Sequence, residues 1–116
     1  MPTASALSIY AFAATSFIFG ASNLLWPLAA LESFGLPAAA LPPVQGNGLA
    51  AVAMGIYYSL AAYQRNRAFM VLTVPMRLLT ASVFWGYGGV WRLGAWWEGG
   101  GAVLTAAALL WERSYI

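Results

Sequence analysis

Long apolar stretches alternate with short polar punctuation along this chain. Residues 7–25, "LSIYAFAATSFIFGASNLL", form the first and residues 46–63, "GNGLAAVAMGIYYSLAAY", the second. The polar turn "QRNR" at 64–67 separates the second from a third, residues 68–88, "AFMVLTVPMRLLTASVFWGYG". A shorter fourth, residues 95–111, "AWWEGGGAVLTAAALLW", ends at "ERSYI". A helix needs about 20 predominantly apolar residues to cross a bilayer, so each stretch is read as one span. The first also fits a cleaved signal peptide, but it has no basic leader and no clean small-residue cleavage site. Between the first two lies "WPLAALESFGLPAAALPPVQ", residues 26–45. Pro27 suits a helix start and Gly35 a stop, which predicts a short helix lying in the membrane interface. "LPAAALPPV" is too proline-rich to prolong that helix. The expected fold is all-α: one membrane domain over residues 1–116, a four-helix bundle with a short interfacial helix between spans 1 and 2.

Polar and small residues recur on one face of each span. Lipid offers no hydrophobic force between helices, so such faces mark where helices pack. The first span offers Ser8, Thr15 or Ser16, and Ser22 or Asn23 at seven- and eight-residue spacings. The second offers Asn47, Ala51, Gly55, Tyr58 and Ala62, and the third Thr73, Arg77 and Thr80. In the fourth, Glu98, Thr105 and Glu112 fall seven apart among Gly101, Ala102 and Ala108. One polar stripe per helix is what an inward-facing bundle requires.

Composition supports the membrane reading and removes much chemistry. Hydrophobic residues are 62% of the 116 and charged residues 7%, against roughly a quarter in soluble domains. The charges are Arg65, Arg67, Arg77, Arg92, Arg113, Glu32, Glu98 and Glu112; Lys, Asp, His and Cys do not occur. Zinc, haem and iron–sulfur centres lose their usual ligands, so no metal site and no cofactor is expected. A Ser-His-Asp triad, a cysteine nucleophile and a lysine Schiff base are excluded. A net charge of +2, dispersed along the chain, gives no basis for nucleic-acid binding.

The arginines orient the spans. With four crossings, the N-terminus, the 64–67 turn and the C-terminus share a side that carries Arg65, Arg67 and Arg113, and only Arg92 opposes them. The positive-inside rule then puts both termini in the cytosol. Trp26, Trp85, Trp91, Trp96 and Trp97 fall at the other ends of the spans, and Tyr10, Tyr63, Trp111 and Tyr115 at the cytosolic ends. That is the pattern of interfacial aromatic belts.

Arg77 is the residue that asks for a reason. It stands about 13 Å into the third span and Glu98 about 20 Å into the fourth, at about 1.5 Å per residue from the cytosolic side. A charge at that depth costs upwards of about 2.5 kcal/mol, which pairing offsets. An Arg77–Glu98 pair, direct or through water, is expected. Pro75 frees the carbonyl of Val71 and makes room beside Arg77. Asn23, Gln45 and Asn47 belong to the same half of the membrane as Glu98, with Tyr57, Tyr58, Trp85 and Trp91 as walls. Together they suggest a substrate-binding pocket open to the non-cytosolic leaflet. Equally, Arg77 and Glu98 can simply lock the third and fourth helices together. Arg65, Arg67 and Arg113 read as topology charges, Glu112 as interfacial, and Glu32 as either a lid or a solvated group.

The segments "GNGLAAVAMGIYYSLAAYQRNR", "VPMRLL" and "WEGGGAVLTAAALLW" resemble the DoxX-like group of small four-helix membrane proteins. A glycine-rich second helix, a short basic turn, a third helix and a final apolar helix recur there in this order, over about residues 5–112 here. The segments are also reminiscent of fungal members linked to secondary metabolism, which would imply the endoplasmic reticulum. Functions in the group are heterogeneous, so the resemblance implies a fold and little chemistry. Sterol-isomerase-type catalysis depends on a histidine, which this chain lacks. Two classes of function remain, and an intramembrane arginine with a nearby glutamate and a ring of tyrosine and tryptophan favours the first. One is a cofactor-independent intramembrane enzyme for isomerisation, cyclisation or epoxide opening of an isoprenoid or polyketide–terpenoid. Glu98 would be its catalytic acid or base, tuned by Arg77. The other is a non-catalytic module that binds a lipophilic small molecule or membrane lipid, or scaffolds a complex. Small-residue faces make a homo-oligomer plausible.

Overall fold

The computed structural model describes residues 2–113, and these are helical with no strand among them. The elements are α1 (Ala4–Leu25), α2 (Pro27–Phe34), a 3₁₀ turn (Ala38–Ala40), α3 (Leu41–Tyr63), α4 (Arg67–Tyr87) and α5 (Trp91–Arg113). Tyr115 lies outside the described residues. α1 and α4 are long and apolar enough to cross a membrane. At 23 residues each, α3 and α5 are slightly longer than α1 at 22 and α4 at 21.

The helix ends follow local chemistry. Pro27 has no N–H and disfavours helical dihedrals in the residue before it, so the chain breaks at Trp26 (φ −129°, ψ 61°) and restarts as α2. α2 stops where the sequence predicts, at Gly35, whose φ of 64° suits a residue without a Cβ. There the Leu36 N–H donates to the Leu31 carbonyl at 2.9 Å and the Gly35 N–H to the Glu32 carbonyl at 3.1 Å. α3 ends in the same double bond, Asn66 to Ala61 at 2.9 Å and Arg65 to Ala62 at 3.1 Å. Here the left-handed residue is Arg65 (φ 54°). Asn66 then caps α4, its Oδ1 accepting from the Phe69 N–H at 3.0 Å.

Boundaries differ from expectation at four helix starts. α1, α4 and α5 begin three, one and four residues earlier than the apolar stretches, since polar and small residues extend a helix as well as apolar ones do. α3 begins at Leu41 rather than 46, because Pro42 and Pro43 sit in its first turn, where a missing N–H has no partner to lose.

Contacts group the chain into two compact units, Met1–Tyr10 with Ala61–Ile116, and Ala11–Leu60. In the first, α4 packs along α5 through Met70, Thr73 and Arg77 on one side. Ala95, Glu98, Ala102, Thr105 and Leu109 face them in alternating three- and four-residue steps. In the second, α1 and α3 approach at backbone distance: a Cβ added to Gly20 would lie 2.5 Å from the Gly48 carbonyl oxygen and 2.6 Å from the Val52 nitrogen. Ser16 Oγ donates across this contact to the Ala51 carbonyl at 3.0 Å. Ala30, Leu31 and Val44 form a small apolar core with Phe34, Leu36, Ala40 and Leu41 around it.

Candidate functional site

A continuous polar seam runs through the first unit. At its outer end, just beyond the apolar stretch 95–111, the Glu112 carboxylate receives the Ser5 N–H at 2.7 Å and the Ser5 hydroxyl at 2.8 Å. It therefore caps the positive end of α1. Arg67 lies 3.4 Å from the same carboxylate and also donates to the Leu109 carbonyl at 3.2 Å. Burial raises the Glu112 pKa, but the two Ser5 hydrogen bonds and the Arg67 charge outweigh it and hold the group below its ordinary 4.5. Glu112 and Arg67 thus have specific partners beyond the interfacial and topological roles expected of them.

Deeper in, Arg77 is buried at 2% exposure. Its Nη2 donates to Thr105 Oγ1 at 2.8 Å and to Thr73 Oγ1 at 3.3 Å, and its Nε to the Thr73 carbonyl at 3.4 Å. Ser8 Oγ sits 2.8 Å from Thr105 Oγ1 and donates to the Ser5 carbonyl at 2.7 Å. Those partners fix the direction of every proton. Guanidinium only donates, and the Ser8 proton is engaged by the Ser5 carbonyl, so the Thr105 hydroxyl accepts from Arg77 and donates to Ser8. Glu98, one heptad before Thr105 on the same face of α5, is buried, and its charge interacts with that of Arg77.

The other anticipated site residues fall in different places. Trp85 is exposed, with the Arg92 guanidinium 4.4 Å above its ring and the Trp96 ring edge-on at 6.1 Å. Trp91 packs against Phe84 at 5.2 Å and Tyr87 at 5.4 Å, within the aromatic cluster at the α4–α5 turn. Tyr58 stacks on Phe12 at 5.4 Å. Gln45 is half-buried. Asn47 and Tyr57 are exposed, because the face α3 turns to α1 carries Gly48, Ala51 and Gly55; a residue one position along lies about 100° around the helix. Neither lines the cavity between α1 and α2.

Asn23 is buried at 3% exposure. It lines a shallow, open cavity of about 350 Å³ in the elbow between α1 and α2. Phe19, Ser22 and Trp26 form one side, and Ala29, Ala30, Ser33 and Phe34 the other. The Phe19 and Phe34 rings meet edge-on at 6.2 Å. None of these eight residues is charged. Glu32 is exposed and is not one of them, which leaves it a surface group. Apart from Asn23, sequence reasoning missed this cavity. Its signal was Pro27, which forces an elbow between aromatics at 19, 26 and 34.

The chain matches no protein-family model, and neither a curated protein nor a solved structure matches it.

Proposed function

We propose that this chain is a small integral membrane protein of four spans, both termini cytosolic, that binds a lipophilic small molecule without transforming it. One observation carries this reading: the α1–α2 cavity is lined by three aromatic rings, two alanines, two serines and one buried amide, with no charged group. That is the chemistry of a site that holds an apolar ligand in one orientation. Arg77 is permanently protonated and held by two threonines, so it suits a structural role better than a proton-transfer role. The helix order and the polar turn between α3 and α4 agree with the DoxX-like layout, and a fungal member would belong in the endoplasmic reticulum. Native mass spectrometry of the full chain, released from detergent micelles after expression, tests the binding reading. One retained lipophile per chain is expected; protein that is empty under every mild detergent would overturn it.

A second reading has its own support. Glu98 is buried in α5 near the Arg77 charge, where an intramembrane acid or base would sit. In that case the protein isomerises, cyclises or opens an isoprenoid or polyketide–terpenoid substrate. Host cells supplied with candidate terpenoids and expressing either the native chain or Glu98→Gln separate the two. A product made only by the native chain establishes the enzyme, and identical metabolite profiles from two folded proteins remove it.

A further inference from the structure

We infer that the α1–α2 cavity takes a neutral lipophile bearing a carbonyl, as in an ester or ketone, and that the Asn23 side-chain amide is the donor that recognises it. The inference rests on the binding reading above and adds the chemical class and the recognising atom.

Asn23 carries the argument. Its Nδ2 is buried and has no hydrogen-bond partner among the described residues. A buried amide N–H without a partner is costly, and a fold retains one where something else satisfies it. The residue lines the cavity. The terminal torsion of an asparagine is broad and soft, so Nδ2 is free to turn toward a ligand in the cavity that the residue lines. A ligand oxygen there replaces an unmet donor with a hydrogen bond.

The rest of the lining sets the class. Without a cation or an anion in the wall, a charged ligand would lose its hydration with nothing in return. Phe19, Trp26 and Phe34 offer apolar faces to a hydrocarbon body. A volume of about 350 Å³ stands at the low end of the roughly 300–1,000 Å³ of small-molecule sites. Trp26, exposed and at the end of an apolar helix, is the kind of residue that lies at headgroup level. At that depth an acceptor with a hydrocarbon tail comes from two sources: the acyl ester of a bilayer lipid, or a free lipophilic carbonyl compound.

The experiment uses the full chain labelled with ¹⁵N-asparagine, whose three side-chain amides are Asn23, Asn47 and Asn66. It is placed in bicelles of ether-linked or ester-linked phosphatidylcholine, and methyl oleate is titrated into the ether-linked sample. A downfield Asn23 amide in ester bicelles relative to ether bicelles, with Asn47 and Asn66 as unmoved references, identifies the bilayer lipid. An Asn23 amide that is the same in both bicelles but moves saturably with methyl oleate identifies a free carbonyl compound. In either case Asn23→Leu, which removes the reporting amide, is followed by native mass spectrometry of retained lipophile, and its affinity falls about tenfold, the value of one neutral hydrogen bond. Ala29→Trp, at the exposed rim, abolishes the shift while leaving the reference amides in place. A silent Asn23 amide in every sample, or a shift that survives Ala29→Trp, overturns the inference. Native mass spectrometry then tells the two failures apart. A retained lipophile with a silent Asn23 sinks the amide's role alone, and an empty protein sinks the binding reading as well.

Discussion

At the scale of single residues, the seam explains how an arginine is accommodated within an apolar helix. Isolated at the bilayer centre it would cost about 2.5–3.5 kcal/mol on insertion scales. Thr73 and Thr105 accept from it, and Ser8 accepts the hydrogen bond that Thr105 donates. Thr105→Val keeps the shape but removes both functions of the hydroxyl. It should destabilise the protein by about 1–2 kcal/mol, measured by denaturant unfolding in bicelles, and an unchanged midpoint would contradict the proton order. Glu112 makes a pH prediction. Its folded pKa is depressed, so its contribution is complete above the ordinary 4.5 and is lost as pH falls through the lower folded value. The Ser5 amide resonance should titrate with a midpoint below 4.5, and Glu112→Gln should abolish that titration; a midpoint above 4.5 would contradict it. The seven-residue spacing of Glu98, Thr105 and Glu112 is enough by itself to put all three on one face of α5. It does not show which hydroxyl meets Arg77, because periodicity fixes a residue's face and not the partner opposite.

At the scale of elements, the two units are held by different means. α4 and α5 pair through the polar seam, whereas α1 and α3 pair by backbone contact. Gly20 admits no side chain, since its hypothetical Cβ meets backbone atoms of α3 that cannot rotate away. Gly20→Ala should cost about 1–3 kcal/mol by overpacking. Gly46→Ala, where nothing lies within 4 Å, should leave unfolding unchanged or raise its midpoint slightly. Equal effects from the two would refute the close contact. Arg65 makes the opposite case: a side chain with a Cβ occupies a left-handed position. Arg65→Gly should stabilise the α3–α4 turn by about 1 kcal/mol in the same assay, and a loss would contradict the assigned strain. The start at Pro27 and the stop at Gly35 were legible, because each depends on two or three adjacent residues. The α1–α3 contact was half legible. Ala51 and Gly55 lie on the packed face, but Gly48 takes the place expected of Asn47, and Gly20 stood alone in an aromatic stretch with no spacing to mark it.

At the scale of the whole molecule, the central claim is that α1, α3, α4 and α5 each cross the bilayer, with α2 at its surface. Length allows this for all four, whereas among the described helices only α1 and α4 are also apolar enough to cross. On that proposal the positive-inside rule, applied to the arginines at 65, 67 and 113, would put both termini and the α3–α4 turn in the cytosol. Hydropathy made the helices legible because lipid demands internally satisfied backbone. It left the α1–α2 cavity hidden, because a pocket arises from how two helices meet. The chain has no cysteine, so introduced ones report cleanly. The deciding measurement is labelling of Pro2→Cys, Ala38→Cys, Gln64→Cys and Val90→Cys by a membrane-impermeant maleimide in sealed vesicles of known orientation. The four-span account predicts that positions 2 and 64 react from the cytosolic face and positions 38 and 90 from the other. Reaction of 64 and 90 from the same face would mean that α4 does not cross, and would contradict it.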